Sequence, residues 1–152
     1  MASVLVLNGP NLNLLGTRKP EVYGRTTLAD VEDMCRQEAG KLGLDVDFRQ
    51  SNHEGQLIDW IHEGGAAVKA GTSIGAVFNP GAYTHTSVAL HDAIEGASLP
   101  VIECHISNVH QREEFRHHSF VSPVARGTIV GFGVLGYTMA INGLYQLSRT
   151  DG

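Results

Sequence analysis

Short, largely apolar runs at Val4 to Leu7, Ile74 to Phe78 and Val101 to Cys104 recur along the chain, each closed by polar or turn-forming residues. Such runs are too short for stable helices, and continuous apolarity fits strands buried on both faces. Between them the period changes. Leu28, Val31, Met34, Cys35 and Leu42 fall at helical spacing, with Thr26 or Thr27 as N-cap and Gly43 as the stop. Ser51-Asn52-His53-Glu54 fits a capping box for a second helix carried by Leu57, Ile58 and Ile61. Thr84 to Ser87 offers caps for a third helix over Val88 to Glu95, which Gly96 ends, and a short one covers Arg112 to Arg116. Leu44 to Phe48 alternates apolar and acidic side chains like an edge strand. Thr128 to Phe132 supplies the last strand and Leu135 to Leu147 the last helix.

Strands alternating with helices imply right-handed crossovers and a parallel sheet with helices on both faces. Five such strands suit an α/β, flavodoxin-like architecture with strand order 2-1-3-4-5, whose ligand crevice lies beyond the carboxyl ends of strands 1 and 3. With 152 residues and no linker or repeat, residues 1–152 are expected to form a single domain. The unusual polar residues fall where that crevice is expected: Asn11 after strand 1, Asn79 after strand 3, His105 after strand 4. The segment from Asn8 to Gly24 has no clear period of its own and reads as a binding loop or lid.

Composition matters mainly for what it excludes. A net charge of −5 and no basic stripe argue against a nucleic-acid surface. No apolar run is long enough for a membrane span, and Met1-Ala2-Ser3 lacks the start of a secretory signal. Cys35 and Cys104 read as reduced, buried thiols, which suits a cytoplasmic setting. There is no GxxxxGK[ST], no HExxH and no zinc spacing among the eight histidines, so neither a nucleoside triphosphate nor a metal is expected. Asn79 stands where a receiver domain would want Asp, and the first loop lacks the Ser/Thr cradle expected for flavin mononucleotide.

What remains is a set suited to moving protons. Tyr23, with a reference pKa near ~10, is a poor base unaided, but a nearby Arg18 would favour the tyrosinate. The plainer alternative is a packed loop aromatic beside a solvated cation. Glu103 and His105 lie two apart at a strand end, hence on one face, with Cys104 pointing the other way. The carboxylate can fix the imidazole for acid catalysis, or the two can be a surface ion pair. The amides of Ile106 and Ser107 can bind a carboxylate. Arg116 can add a charged donor, although Arg112 is equally suitable by chemistry and both can simply be solvated. His85 can reach a ligand hydroxyl or cap the third helix, and Asp92 reads as exposed mid-helix.

In that order these residues resemble the type II 3-dehydroquinases (3-dehydroquinate dehydratases) of the shikimate pathway. The likeness rests on VLNGPNLNLLGTR, PEVYG, QSNHEGQLIDWIH, FNPGAYTHTSVALHDA, PVIECHISNVHQREEFRHHSF and GFGVLGYTMA, together nearly the whole chain. Lys19 departs from the pattern, where an acidic or amide residue is more usual. The resemblance implies dehydration of 3-dehydroquinate to 3-dehydroshikimate without metal or cofactor. It implies Tyr23 as the base, its pKa lowered by Arg18, Asn11 holding a water against the enolate oxygen, and His105, oriented by Glu103, as the acid. Ile106 and Ser107 would bind the carboxylate, and Asn79, His85 and Arg116 the ring hydroxyls. It further implies a homododecamer, a tetramer of trimers, in which Asp92 reaches a neighbouring subunit's site. The rival from another class is a non-catalytic flavodoxin-like module that binds a small polyhydroxy carboxylic acid and needs neither Tyr23 nor His105.

Overall fold

The computed structural model describes residues 1–17 and 20–150, with residues 22 and 23 described in backbone only. Five strands, β1 (Ser3–Asn8), β2 (Asp45–Gln50), β3 (Ser73–Asn79), β4 (Val101–His105) and β5 (Gly127–Val130), form one parallel sheet in the order β2-β1-β3-β4-β5. This is the flavodoxin-like arrangement that the alternating periods predict.

The period-two alternation of a strand sorts the core into two layers. Val4, Val6, Val77, Ile102 and Cys104 face α2 (Leu28–Lys41) and α5 (Leu135–Thr150), packing on Val31, Cys35, Tyr137, Ile141 and Leu144. Leu5, Leu7, Ala76, Phe78 and Val101 face α3 (Glu54–Lys69) and α4 (Val88–Ala97), packing on Leu57, Ile61, Leu90 and Ile94. Both faces of the central strands are covered, which is why their sequences are nearly continuous in apolar residues.

Several boundaries differ from expectation for local reasons. Thr27 caps α2 through a reciprocal box with Asp30, and the helix stops at Lys41, one turn residue before Gly43. The box expected at Ser51 to Glu54 does not form. His53 is the N-cap without a side-chain bond, while Ser51 Oγ accepts from the His53 amide and donates to Gln56. Gly96 does not end α4, which runs on to Ala97 and closes on Ser98 in the left-handed region at φ 52°. The short helix expected over Arg112 to Arg116 is two 3-10 turns, Val109–Gln111 and Glu114–Arg116. The first loop contains a 3-10 turn at Leu12–Leu14 and a one-turn helix, α1 (Pro20–Tyr23), opened by a proline whose missing N–H costs nothing there.

The carboxyl ends of β1 and β3 are drawn together where both chains break. Asn8 and Asn79 are in register, and the Gly9 amide donates to the Asn79 carbonyl at 2.8 Å. A Cβ on Gly9 would stand 2.3 Å from the Pro80 carbonyl oxygen, a backbone atom that cannot swing aside. Gly9→Ala is therefore expected to lower stability by about 2 kcal/mol, a melting temperature lower by roughly 4–8 °C, in thermal unfolding. An unchanged melting temperature would show that the two loops separate freely.

Candidate active site

Beyond the sheet's carboxyl edge, β4 ends in the pair that organises the site. Glu103 and His105 share a face, and Cys104 turns into the opposite core layer, as the strand alternation requires. The pair is not a surface ion pair: Glu103 is 1% exposed and His105 6%. His105 Nε2 donates to Glu103 Oε2 at 2.6 Å.

The carboxylate also sits in a collar of hydroxyls. Thr84 Oγ1 and Ser119 Oγ donate to Oε2 at 2.8 and 2.9 Å, while Ser122 Oγ and, at 3.4 Å, Thr128 Oγ1 donate to Oε1. Ser119 Oγ in turn accepts from the amides of Val121 and Ser122, so the segment after the Glu114–Arg116 turn is folded down onto this anion. Burial pushes the Glu103 carboxyl up. The bonds from His105 and Ser122, the charge of His105 and the bond from Thr84 outweigh it and bring the value from its ordinary 4.5 to about 2.

That anion settles the tautomer of His105. A carboxylate only accepts, so Nε2 carries a proton. Among the described residues Nδ1 has no hydrogen-bond partner and no buried side-chain polar atom is left unsatisfied, so Nδ1 is accessible at the sheet's carboxyl edge. A proton on Nδ1 is therefore the one this ring can give to a ligand.

The depressed carboxyl also has a consequence for stability. A group whose value is lower in the folded protein stabilises it above the unfolded value and loses that contribution as pH falls through the folded one. Stability in denaturant is expected to fall between pH 4.5 and about 2, and Glu103→Gln is expected to flatten that slope. An equal slope in both proteins would mean that Glu103 is not held as a buried anion.

Around this pair the other candidates take definite places. The His85 ring stacks near His105, with centroids 6.5 Å apart and planes at 19°, and its Nδ1 donates to the His118 carbonyl at 2.8 Å. Ser87 caps α4 by accepting from the Leu90 amide, so His85 is not the cap. Asn79, at the end of β3, is 3% exposed. Its Nδ2 donates to Tyr137 Oη at 2.9 Å and its Oδ1 accepts from the Gly81 amide, which leaves one N–H and one lone pair for a ligand. Asn11 is held at φ 69° in the left-handed region, with its amide donating to Asn52 Oδ1 at 3.0 Å. A non-glycine residue kept there needs such fixing, and functional loops are where it is found.

Ile106 and Ser107 follow His105 directly, half-buried and exposed respectively, and the Gly133 amide ties the Ile106 carbonyl at 3.0 Å. Of the two arginines, Arg112 is exposed. Arg116 is half-buried, lies over the Phe115 ring and donates from Nε to Glu113 at 2.6 Å. Asp92 is exposed on α4. Arg18 and Lys19, and the side chain of Tyr23, lie outside the described residues; the Tyr23 backbone ends α1.

Sequence reasoning missed the collar of Thr84, Ser119, Ser122 and Thr128, and the buried Asn8 and Tyr137 beneath Asn79. Isolated hydroxyls carry no periodic signal, and these reach Glu103 from 16 to 25 residues away. A polar residue ending an otherwise apolar run, as Asn8 does, was the one available hint.

Elsewhere, two cavities of about 390 and 380 Å³ lie at the amino ends of the strands, sharing Pro100 and Arg126, away from the Glu103–His105 pair. Among the described residues no group of three His, Cys, Asp or Glu could hold a metal ion, and no helix is long and apolar enough to cross a membrane.

Residues 2–145 match the family model described as dehydroquinase class II. A 3-dehydroquinate dehydratase of Variovorax paradoxus is 69% identical over 144 residues, covering 95% of this chain and 99% of that protein. One of a Marinomonas species is 67% identical over 144 residues, covering 95% and 96%. The crystal structure of a type II dehydroquinase from Propionibacterium acnes superposes with a TM-score of 0.86 at 44% identity, covering 96% of this chain and 97% of that one.

Proposed function

The chain belongs to the class II dehydroquinase family, and from that premise we infer how its residues carry out the reaction. It is a 3-dehydroquinate dehydratase, a hydro-lyase that converts 3-dehydroquinate to 3-dehydroshikimate. The observation that carries the mechanism is the buried Glu103–His105 pair at the end of β4. A non-catalytic binding module would have no use for an imidazole held by an anion with Nδ1 left to the cleft.

The elimination proceeds in two steps. Tyr23, as tyrosinate favoured by Arg18, takes the C2 proton, and the electrons move into the ketone to form an enolate. Asn11 holds a water against the enolate oxygen, a donor fixed before the charge develops. The enolate then collapses, the C1–O bond breaks, and the leaving hydroxyl takes the Nδ1 proton of His105 and departs as water. Tyr23 holds one proton and His105 lacks one at the end, and exchange with solvent resets both.

Substrate is held by the Ile106 and Ser107 amides at its carboxylate and by Asn79, His85 and Arg116 at its ring hydroxyls. The stacking of His85 near His105 supports this placement. Arg116 must share itself between Glu113 and ligand. The reaction needs an acid, a base and an enolate stabiliser, all supplied by side chains and water, so neither metal nor cofactor enters it.

One domain over residues 1–152 and a cytoplasmic setting in the shikimate pathway belong to the same reading, which the two buried free thiols suit. So does a homododecamer, a tetramer of trimers in which Asp92, exposed here, enters a neighbour's site. Mixing purified protein with 3-dehydroquinate and following the ultraviolet absorbance of the conjugated enone tests the activity. Growth of that absorbance is expected. Binding without it would favour the silent module.

A further inference from the structure

Beneath the cleft lies a tyrosine that no step above uses. Tyr137, on α5, is fully buried, and its hydroxyl joins the ends of two strands: it donates to Asn8 Oδ1 at 2.7 Å and accepts from Asn79 Nδ2 at 2.9 Å. The direction of this chain is fixed by counting protons. Asn8 Nδ2 is committed to the Arg49 carbonyl at 3.1 Å, so the Asn8 oxygen must face Tyr137. The single hydroxyl proton goes to that oxygen, so the hydroxyl can only accept from Asn79. The Asn79 oxygen meanwhile accepts from the Gly81 amide at 3.1 Å. Turning the Asn79 carboxamide over would set oxygen against a hydroxyl with no proton to give, and NH2 against an N–H. Two buried groups would lose their partners at once.

We propose that Tyr137 is a positioning residue for the dehydration: its hydroxyl, oriented by Asn8, locks the Asn79 carboxamide in one of its two orientations. The N–H and the lone pair left for substrate then keep fixed places on the cleft floor. The inference rests on the reading of Asn79 as a ligand of a ring hydroxyl. It explains why a polar residue ends each of two otherwise apolar strands in register. It also gives α5, whose other buried residues only fill the core, a direct link to the site.

The test is a set of steady-state measurements with 3-dehydroquinate. Asn79→Ala should raise KM, which is the reading the proposal builds on. Tyr137→Phe keeps the ring and removes only the hydroxyl; it should raise KM about five- to tenfold, the scale of one neutral hydrogen bond, with kcat within about twofold. In the double variant KM should be no higher than in Asn79→Ala alone, because the two losses are one loss. A merely structural Tyr137 would reduce the folded fraction, lowering kcat with KM unmoved, and that result overturns the proposal.

Asn8→Ala is the second route, useful if the buried phenylalanine prevents folding. It frees the Tyr137 proton to turn toward Asn79, so KM should rise by a similar factor; an unmoved KM there also overturns the proposal. If Asn79→Ala itself leaves KM unchanged, the reading of Asn79 fails and this inference falls with it. If Asn79→Ala raises KM and Tyr137→Phe does not, only the role of Tyr137 is lost.

Discussion

His105→Ala is expected to lower kcat by roughly 10²- to 10⁴-fold, the usual contribution of a positioned general acid, with a much smaller change in KM. The reason is geometric. His105 Nε2 is tied to Glu103 at 2.6 Å, and in the proposed mechanism its Nδ1 supplies the proton to the leaving hydroxyl, which alanine removes while the proposed carboxylate and hydroxyl contacts are kept. The loss belongs to the second step, where the C1–O bond breaks, and the enolate should still form. A kcat within a few-fold of the unaltered protein would remove His105 as the acid. Because alanine also leaves the Glu103 anion without its imidazole, the variant's unfolding should be measured beside its activity. The loss in rate must persist in protein shown to be folded.

Tyr23→Phe is expected to suppress turnover by a comparable or larger factor, since it removes the proposed base, on which both steps would depend. A phenol of reference pKa near ~10 is a base at neutral pH only if a neighbouring cation holds it ionised, which is the role given to Arg18. Phenylalanine keeps the ring and loses only the oxygen, so binding should change little. The informative comparison is kcat against KM. Equal losses in both would mean that Tyr23 contributes to binding rather than to proton transfer.

These effects depend on residues whose grouping was only partly legible in the sequence. The sheet was readable because strands covered on both faces must be nearly continuous in apolar residues. Val4 to Leu7 and Ile74 to Phe78 therefore marked β1 and β3 before any contact was known. The alternation rule put Glu103 and His105 on one face, but it could not say whether that face was wet. The covering segment, residues 117 to 124, has no periodic signature and is placed by its hydroxyl bonds to Glu103 and by the Phe120 amide, which donates to the Thr84 carbonyl.

The hydroxyl collar was invisible for the same reason. Thr84, Ser119, Ser122 and Thr128 are ordinary surface-type residues until the fold points them all at one carboxylate. By sequence His85 can cap a helix or meet a ligand, and Ser87 taking the cap of α4 excludes only the first. Gly96 misled because an exposed glycine can be carried inside a helix at a cost of about 1 kcal/mol, and α4 runs through it to Ala97. Tyr137 carries no distinguishing signal within the last helix, Leu135 to Leu147. Its hydroxyl matters because Asn8 and Asn79, far away in sequence, end adjacent strands in register.

The central claim is that proton removal and loss of hydroxide are separate steps, served by Tyr23 and by the Glu103-held His105. It is tested most directly by incubating His105→Ala with 3-dehydroquinate in deuterium oxide and following C2 by nuclear magnetic resonance. The account predicts that the C2 hydrogen is replaced by deuterium while little or no 3-dehydroshikimate appears. A variant that forms neither the exchanged substrate nor the product, although folded and able to bind, would contradict it.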